Sequence, residues 1–479
     1  VWDKYSKASE NPDLNGNLWA PDVIYNETMG KWCMYMSVNG SNHQSVIVLL
    51  TADSIEGPYE YVGGVMYSGF HDGSTLNQSR AEYSDIYQVL GEGADLSRYN
   101  NTNSCKVNAI DPNVEYDQDG NLWMTYGSWS AGIWQIKLDS TTGLRDYNYT
   151  YENVSGKSDP YLGYKISGGY YNSGEGPYIL HMGDYYYLFV SIGNLEASGG
   201  YNMRVYRSES INGPFVDENG KSAISTSWSA DLGYKEDGQN TGSWVNTSKY
   251  TSPIGIKLMG AYNMYGISRV QVAQGHNSPF VDDDGKAYVI YHSRFAGGGE
   301  GHEVRVHQLF QTEDGWLVAA PYEYSGETLS TDGYDTADVA GTYDFILHRQ
   351  DLVYAANATP NEGETYFLNS SKTITVNSEE VTLGMRADWV EDNGKVTDSK
   401  GVVYAMDVTL NEDGTISGDY TGEWEFTTGS NVKMTIDGVE YTGVFIEQQN
   451  ELTTRDMTMT FTLVGGNNCA WGVKNPEKN

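Results

Sequence analysis

Cysteine is scarce in this chain. Only three are present, Cys33, Cys105 and Cys469, and their odd number and wide spacing exclude a disulfide framework or a CxxC metal site. This is compatible with a reducing compartment or with an exported bacterial protein that has no disulfides. Long hydrophobic runs are also missing, because the longest aliphatic run, Val46 to Leu50, is far too short to span a bilayer.

The chain also has few positively charged residues. The chain has 29 Lys and Arg against 64 Asp and Glu, a net charge of −35, which excludes nucleic acid and anionic membranes as partners because both would repel it. No segment predicts a helix of more than two turns. The 55 glycines and 39 tyrosines indicate many short strands joined by tight turns, and 479 residues predict two or three domains.

One segment recurs four times, each time with a proline that is followed by a short apolar strand, a turn and a second strand rich in aromatics. The copies read WAPDVIY (19–25), IDPNVEY (110–116), SGEGPYIL (173–180) and GHNSPFV (275–281). Turn signals such as Asp119-Gly120 and Asp284-Gly285 separate the two strands of a pair. A repeated strand pair of this kind predicts a radial array, the β-propeller, over residues 1–324.

The pattern changes after Tyr324. Residues 325–340 are polar and rich in Gly and Thr, which indicates a linker. From Gly341 to Asn479 short alternating strands predict a compact antiparallel β-sandwich or barrel. For this C-terminal domain, sugar binding and bracing of the propeller are both open.

Two carboxylates occupy equivalent repeat positions. Asp111 precedes Pro112, which biases it toward extended backbone at a strand start, although Asp-Pro also begins ordinary turns. Glu175 stands between two glycines that would let a substrate approach closely, although it could be a loop residue. A pair of carboxylates converging on one axis fits glycosidic cleavage, because one must protonate the leaving oxygen while another activates water or tunes its neighbour's pKa.

His276 occupies the same repeat position in the last copy. It could be a structural histidine bonded to a carbonyl, a substrate contact or a ligand of a central metal. Trp19, Trp129 and Tyr201 lie beside the repeats, where stacking on sugar rings would be useful.

Together the motifs WAPDVIYN, AIDPNVEYDQDGNLWMTYGSWSAGI, SGEGPYI, GGYNMRVYRS and GHNSPFVDDDGKAYVIYHSRF resemble glycoside hydrolase family 43. Within it they are most similar to extracellular endo-α-1,5-L-arabinanases with an extra C-terminal domain. The resemblance covers Trp19 to about Glu323 and continues into the NEDGTISGDYTGEWEF segment and the AWGVK ending.

The resemblance implies a five-bladed propeller and an inverting enzyme that hydrolyses α-1,5-L-arabinan. It implies that Glu175 is the general acid and that Asp111 raises the pKa of Glu175 and orients its carboxyl group. His276 would belong to the shell of a calcium ion held largely through waters. Residues expected to line the cleft are Trp19, Trp129, Tyr201, Asn277, His292 and Arg294.

The sequence departs from the family at the general base, an aspartate in a His-Asp-Pro type motif of the first blade. Here WAPD begins at Trp19, Asp3 and Asp13 lie in a polar stretch with no following strand, and His71-Asp72 stands in another repeat. The expectation is that the first blade is largely missing and that the base lies upstream of Val1. The 479 residues alone are then expected to have little or no hydrolytic activity.

Two alternatives stay open. The same scaffold serves exo-acting α-L-arabinofuranosidases and β-xylosidases, and a propeller without its base could be a non-catalytic carbohydrate-binding protein. The expected partner is arabinan or an arabino-oligosaccharide, the expected state is a monomer, and the expected location is secreted, periplasmic or at the cell surface.

Overall fold

A computed structural model describes residues 17–40, 43–197, 200–226, 255–296, 298–348, 373–376, 379–382 and 402–479. Asp3 and Asp13 lie outside these ranges. The described part is all-β, as the sequence predicts. Its longest helix has 6 residues, and no described helix is both long and apolar enough to cross a membrane. The helices are α1 (Gln78–Tyr83), α2 (Ile86–Leu90), a 3-10 helix (Ser97–Asn100) and α3 (Thr336–Val339).

Residues 18–319 form four successive antiparallel sheets, and each of the four repeat segments enters a different one. The first sheet contains β1 (Leu18–Asn26), β2 (Lys31–Val38), β3 (Val46–Ala52) and β4 (Glu60–Tyr67). A small hairpin of β5 (His71–Asp72) and β6 (Thr75–Leu76) follows. The second contains β7 (Asn113–Tyr116), β8 (Leu122–Tyr126), β9 (Ile133–Leu138), β10 (Ser158–Asp159) and β11 (Gly163–Ser167).

The third and fourth sheets repeat the plan. The third contains β12 (Glu175–Met182), β13 (Tyr185–Ile192), β14 (Asn202–Ser208) and β15 (Ile256–Met259). The fourth contains β16 (Tyr262–Asn263), β17 (Gln271–Val281), β18 (Ala287–Phe295), β19 (His302–Gln311) and β20 (Leu317–Ala319). The predicted Asp-Gly turns are present, since Gly120 and Gly285 take φ of +78° and +81° between paired strands.

Burial on both faces holds these sheets together. Every residue of β8 is buried, as expected for a strand covered on both sides. One apolar cluster joins the first three sheets around Trp134 and Tyr161. A second joins the third and fourth sheets to the C-terminal part through Trp316 and Trp471.

The C-terminal strands close into a barrel, which decides between the two architectures that the sequence predicts. Its strands are β21 (Gly341–His348), β25 (Met406–Leu410), β26 (Thr415–Gly418), β27 (Gly422–Phe426), β28 (Asn431–Ile436), β29 (Val439–Gln449), β30 (Met457–Gly465) and β31 (Asn468–Lys474). Strand β31 pairs with both β21 and β30 and so completes the ring. Phe445 and Phe461 fill the interior with their rings in contact.

Between β21 and β25 the described residues include three further strands. A hairpin is formed by β22 (Thr373–Val376) and β23 (Glu379–Thr382), and β24 (Val403–Tyr404) pairs in parallel with β16 of the fourth sheet. The barrel also pairs with the third sheet, because β31 lies parallel to β15. The two parts of the chain are therefore hydrogen-bonded to each other through main-chain atoms.

Candidate active site

The repeat segments come together in the structure. Each forms the first strand or strand start of its hairpin, and β1 contacts β7, β7 contacts β12, and β12 contacts β17. The four segments therefore stand side by side, which brings Asp111, Glu175 and His276 into one neighbourhood.

The residue after the proline ties three of these strands together. The Asp22 carboxylate accepts hydrogen bonds from the Val114 N–H (2.7 Å), the Asn113 side-chain amide (3.3 Å) and the Tyr178 hydroxyl (3.1 Å). Asn113 in turn accepts a hydrogen bond from the N–H of Ile179 at 2.8 Å. Asp22 therefore links β1, β7 and β12. Its pKa is raised overall, because the effect of burial exceeds the opposing effect of these hydrogen bonds.

Asp111 is fixed just before β7. It is 6% exposed. The extended backbone predicted from Pro112 is wrong, because Asp111 has φ of +53°, a left-handed conformation that costs a non-glycine residue energy. Its own N–H donates to Ser37 Oγ (2.9 Å), and its Oδ2 accepts from the N–H of Gly176 (3.1 Å). The carboxylate is thus bonded to the residue that directly follows Glu175.

Glu175 begins β12, and both of its carboxyl oxygens are engaged. Oε1 accepts from the Tyr201 hydroxyl (2.7 Å) and Oε2 accepts from the Trp129 indole N–H (2.7 Å). The Ser128 hydroxyl lies 3.5 Å from Oε2. Trp129 and the neighbouring Ser130 take φ of +46° and +42°, so the segment that presents the indole is held in an unusual conformation.

His276 and Asn277 complete the cluster from β17, which is irregular on both sides of Gly275. The N–H of His276 donates to Ser191 Oγ (2.7 Å), and this hydroxyl donates to Asn277 Oδ1 (3.2 Å). The Asn277 amide donates to the carbonyl of Gly176 (3.1 Å). Asn277 is 2% exposed, so these hydrogen bonds hold the strand that carries Glu175.

Tyr201, His292 and Arg294 form a second layer behind Glu175. The rings of Tyr201 and His292 stack at 5.8 Å with 17° between their planes. Arg294 pairs with Glu300 at 2.9 Å, and its guanidinium lies 3.5 Å from His292 Nδ1. Burial, with the charge of Arg294, lowers the pKa of His292 to about 4, so this imidazole is neutral near pH 7.

Trp19 lies at the edge of the cluster. It is 43% exposed and pairs across β1 and β2 with Ser37, the residue whose hydroxyl bonds to Asp111. An exposed indole paired with the strand residue that bonds to Asp111 is suited to contact a bound sugar chain.

The electrostatics of the carboxyl pair favour the protonated form of Glu175. Burial raises the pKa of Glu175, and the charge of Asp111 raises it further, against the opposing effects of Tyr201, Trp129 and His276. Burial also raises the pKa of Asp111, while His276 and the Gly176 N–H lower it. A carboxylic acid that keeps its proton near neutral pH beside an ionised partner can act as a general acid.

Sequence reasoning missed Asp22, Ser37 and Glu115. Asp22 follows the repeat's proline as Asn113 and Tyr178 do, and this shared position was the available signal. Glu115 lies two residues beyond Asn113 on β7, and burial together with the charge of Asp22 raises its pKa to about 7. Nothing in the local sequence distinguishes Ser37 from other strand serines.

The described residues contain no group of three or more His, Cys, Asp or Glu side chains placed to hold a metal ion. The charge of His276 lowers the pKa of both Asp111 and Glu175, so this imidazole lies close enough to act on the carboxyl pair. An ion beside it would therefore find fewer than three such side chains among the described residues.

Two family models match the chain. One, described as glycosyl hydrolases family 43, matches residues 76–254. The other, a C-terminal lipocalin-like domain of such proteins, matches residues 321–404 and 390–472. The first match includes Asp111 and Glu175, and the second covers most of the barrel.

Similar proteins share almost the whole chain. The extracellular endo-α-(1→5)-L-arabinanase 2 of Bacillus subtilis is 32% identical over 467 residues, 95% of this chain and 79% of that protein. The extracellular endo-α-(1→5)-L-arabinanase of Thermotoga petrophila is 32% identical over 96% of this chain and 80% of that protein. A crystal structure of endo-1,5-α-L-arabinanase from Thermotoga petrophila matches with a TM-score of 0.69 and 31% identity, over 96% of this chain and 84% of that one.

Proposed function

The chain belongs to glycosyl hydrolase family 43, and from this we propose that it hydrolyses α-1,5-linked L-arabinan at internal bonds, with inversion at the anomeric carbon. The observation that carries the proposal is that similarity to two extracellular endo-arabinanases spans the carboxyl cluster and the barrel together. The natural substrate class is then the arabinan side chains of plant cell-wall polysaccharides.

In this proposal Glu175 is the general acid. Its raised pKa keeps the proton available, and the proton passes to the glycosidic oxygen as the bond to the anomeric carbon breaks. Asp111 keeps that pKa high by its negative charge, and its hydrogen bond to the N–H of Gly176 fixes the approach of the acid. An inverting enzyme also needs a base that activates water from the opposite face.

The four sheets fit a five-bladed propeller whose remaining blade would lie between the first and fourth sheets. The support is that apolar side chains on one strand of each sheet are exposed: Leu18 and Tyr25 on β1, and Phe280 and Val281 on β17. A further blade would cover them. In this arrangement residues 1–324 form the propeller domain, 325–340 the linker and 341–479 the barrel domain.

Substrate contacts follow from exposure and position. Trp19 is placed to stack on a sugar ring at the edge of the cleft, and the neutral imidazole of His292 can donate to or accept from a hydroxyl. Four other side chains are hydrogen-bonded or ion-paired within the site, so they contribute to binding by fixing its shape: Trp129, Tyr201, Asn277 and Arg294.

Calcium is the proposed metal, with His276 as its protein contact and water as the rest of its shell. Calcium takes six to eight ligands, mostly oxygen, and water can supply those that the protein does not. Such an ion would add positive charge near Asp111 and Glu175 and would hold β17 in place. We further propose that the protein is secreted, as its relatives' names state of them, and that it acts as a monomer.

The test is the size of the products that the native protein releases from linear, debranched α-1,5-arabinan. Early release of arabino-oligosaccharides of several lengths, with a rapid fall in viscosity, is expected for internal cleavage. Arabinose as the sole early product would identify an exo-acting enzyme, and binding without any product would identify a carbohydrate-binding protein.

A further inference from the structure

The two oxygens of Glu175 have partners of different chemistry. Oε2 faces the indole N–H of Trp129 at 2.7 Å, and an indole N–H can only donate. Oε1 faces the hydroxyl of Tyr201 at 2.7 Å, and a hydroxyl can either donate or accept. An oxygen that accepts a short bond from a donor-only group is best left without a proton, because an unprotonated carboxyl oxygen is the stronger acceptor.

We propose that Trp129 and Tyr201 assign the transferable proton of Glu175 to Oε1, and that Tyr201 is a positioning residue that stabilises the carboxylate left when this proton departs. The inference rests on the proposed role of Glu175 as general acid. Beyond that role, Oε1 is the oxygen that donates the proton, and Tyr201 is the side chain that stabilises it.

The proton leaves Glu175 as the glycosidic bond breaks. The O–H bond at Oε1 breaks and its electron pair stays on Oε1, while the proton bonds to the glycosidic oxygen. The bond from that oxygen to the anomeric carbon breaks, and its electron pair goes to the leaving oxygen. The Tyr201 hydroxyl keeps its own proton: its oxygen accepts from the Oε1–H before the transfer, and its O–H donates to Oε1 afterwards, in a hydrogen bond that the new negative charge strengthens.

Tyr201 is built for this role rather than for sugar stacking. Its ring is 1% exposed, and His292 covers it by stacking at 5.8 Å. Gly275 lies against the same ring, since a Cβ at that position would stand 2.2 Å from its Cδ1 and Cε1 atoms. The glycine of the GHN motif therefore makes room for Tyr201, which reaches Glu175 from 26 residues further along the chain.

Removing the hydroxyl should affect the reaction and leave binding unchanged. A hydrogen bond to a charged group is worth about 1.5–3 kcal/mol, which corresponds to about a 10- to 100-fold loss of kcat. Because Tyr201 does not reach the substrate, KM should change less than about twofold. Without this donor the carboxylate is less stable, so the pKa of Glu175 should rise and the basic limb of the kcat/KM profile should move to higher pH.

The experiment compares Tyr201→Phe with Tyr126→Phe in the native protein, using linear arabinan as substrate. Tyr126 is a matched control, because its buried hydroxyl donates to the carbonyl of Leu162 and has no contact with Glu175. Asp111 and His276 also act on the charge of Glu175, and both variants leave them in place. The proposal is overturned if Tyr201→Phe raises KM with kcat unchanged, or if its pH profile matches that of Tyr126→Phe.

A second measurement does not depend on hydrolysis. The chain has 12 tryptophans, and the indole N–H resonance of Trp129, assigned by its loss in Trp129→Phe, should move as Glu175 ionises. Its titration midpoint should be higher in Tyr201→Phe than in the parent and in Tyr126→Phe. An unchanged midpoint would overturn the role of Tyr201, whereas a higher midpoint in a protein that fails to cleave arabinan would refute only the proposed substrate.

Discussion

Glu115→Gln is expected to stabilise the protein at pH 8 and to have little effect at pH 4. Glu115 lies on β7 two residues beyond Asn113, partly buried, and its Oε1 accepts from the N–H of Tyr116. Burial is the largest cause of its raised pKa, and the charge of Asp22 adds to it. Glutamine keeps the size and the acceptor oxygen of the protonated acid but cannot ionise.

The magnitude follows from linkage between protonation and folding. A carboxyl whose pKa rises from 4.5 in the unfolded chain to about 7 in the folded protein binds its proton more tightly when folded. Stability from this group is therefore unaffected below about pH 4.5 and falls as the pH rises toward 7. The full loss is about 3 kcal/mol, and Glu115→Gln should recover most of it at pH 8.

The assay is urea unfolding followed by tryptophan fluorescence at pH 4, 6 and 8. The midpoint of the variant should exceed that of the parent increasingly as the pH rises. Glu209→Gln serves as a control, because Glu209 is exposed on the third sheet's outer loop and should show no such trend. A constant difference between Glu115→Gln and the parent at all three pH values, or a less stable variant at pH 8, would refute the reasoning.

Two further outcomes are expected. Asp22→Ala leaves the Val114 N–H and the Tyr178 hydroxyl without their acceptor and should lower the free energy of unfolding by about 3 kcal/mol, whereas a loss below about 1 kcal/mol would contradict its role in linking the three strands. If calcium binds as proposed, a calcium chelator should lower the melting temperature of the parent, and His276→Ala should abolish this fall. Equal sensitivity of both proteins to the chelator would count against His276 as the metal contact.

Much of the site can be predicted from the sequence because it is built on a repeat. Asp111 stands one residue before Pro112 and Glu175 two residues before Pro177, and contacts between β7 and β12 bring the two segments together. The observed hydrogen bond from the N–H of Gly176 to Asp111 is a direct result of that arrangement.

The partners of Glu175 could not be predicted in the same way. Tyr201 reaches the acid only because β17 is irregular around Gly275 and has no side chain there, and neither feature leaves a local signal on β14. Closure of the C-terminal barrel could not be predicted from local sequence either. It depends on β31 pairing with both β21 and β30, and strand alternation alone does not distinguish that ring from a sandwich.

Glu175→Gln in the native protein tests the central assignment most directly. Hydrolysis of linear arabinan should fall by about 100-fold or more, because the amide cannot protonate the leaving oxygen. The affinity for an arabino-oligosaccharide, measured by calorimetry, should stay within about threefold of the parent, since glutamine keeps one acceptor oxygen toward Trp129 or Tyr201. Glu196→Gln, at an exposed position, should leave both properties unchanged. Parent-like hydrolysis by Glu175→Gln would contradict the assignment of Glu175 as the acid.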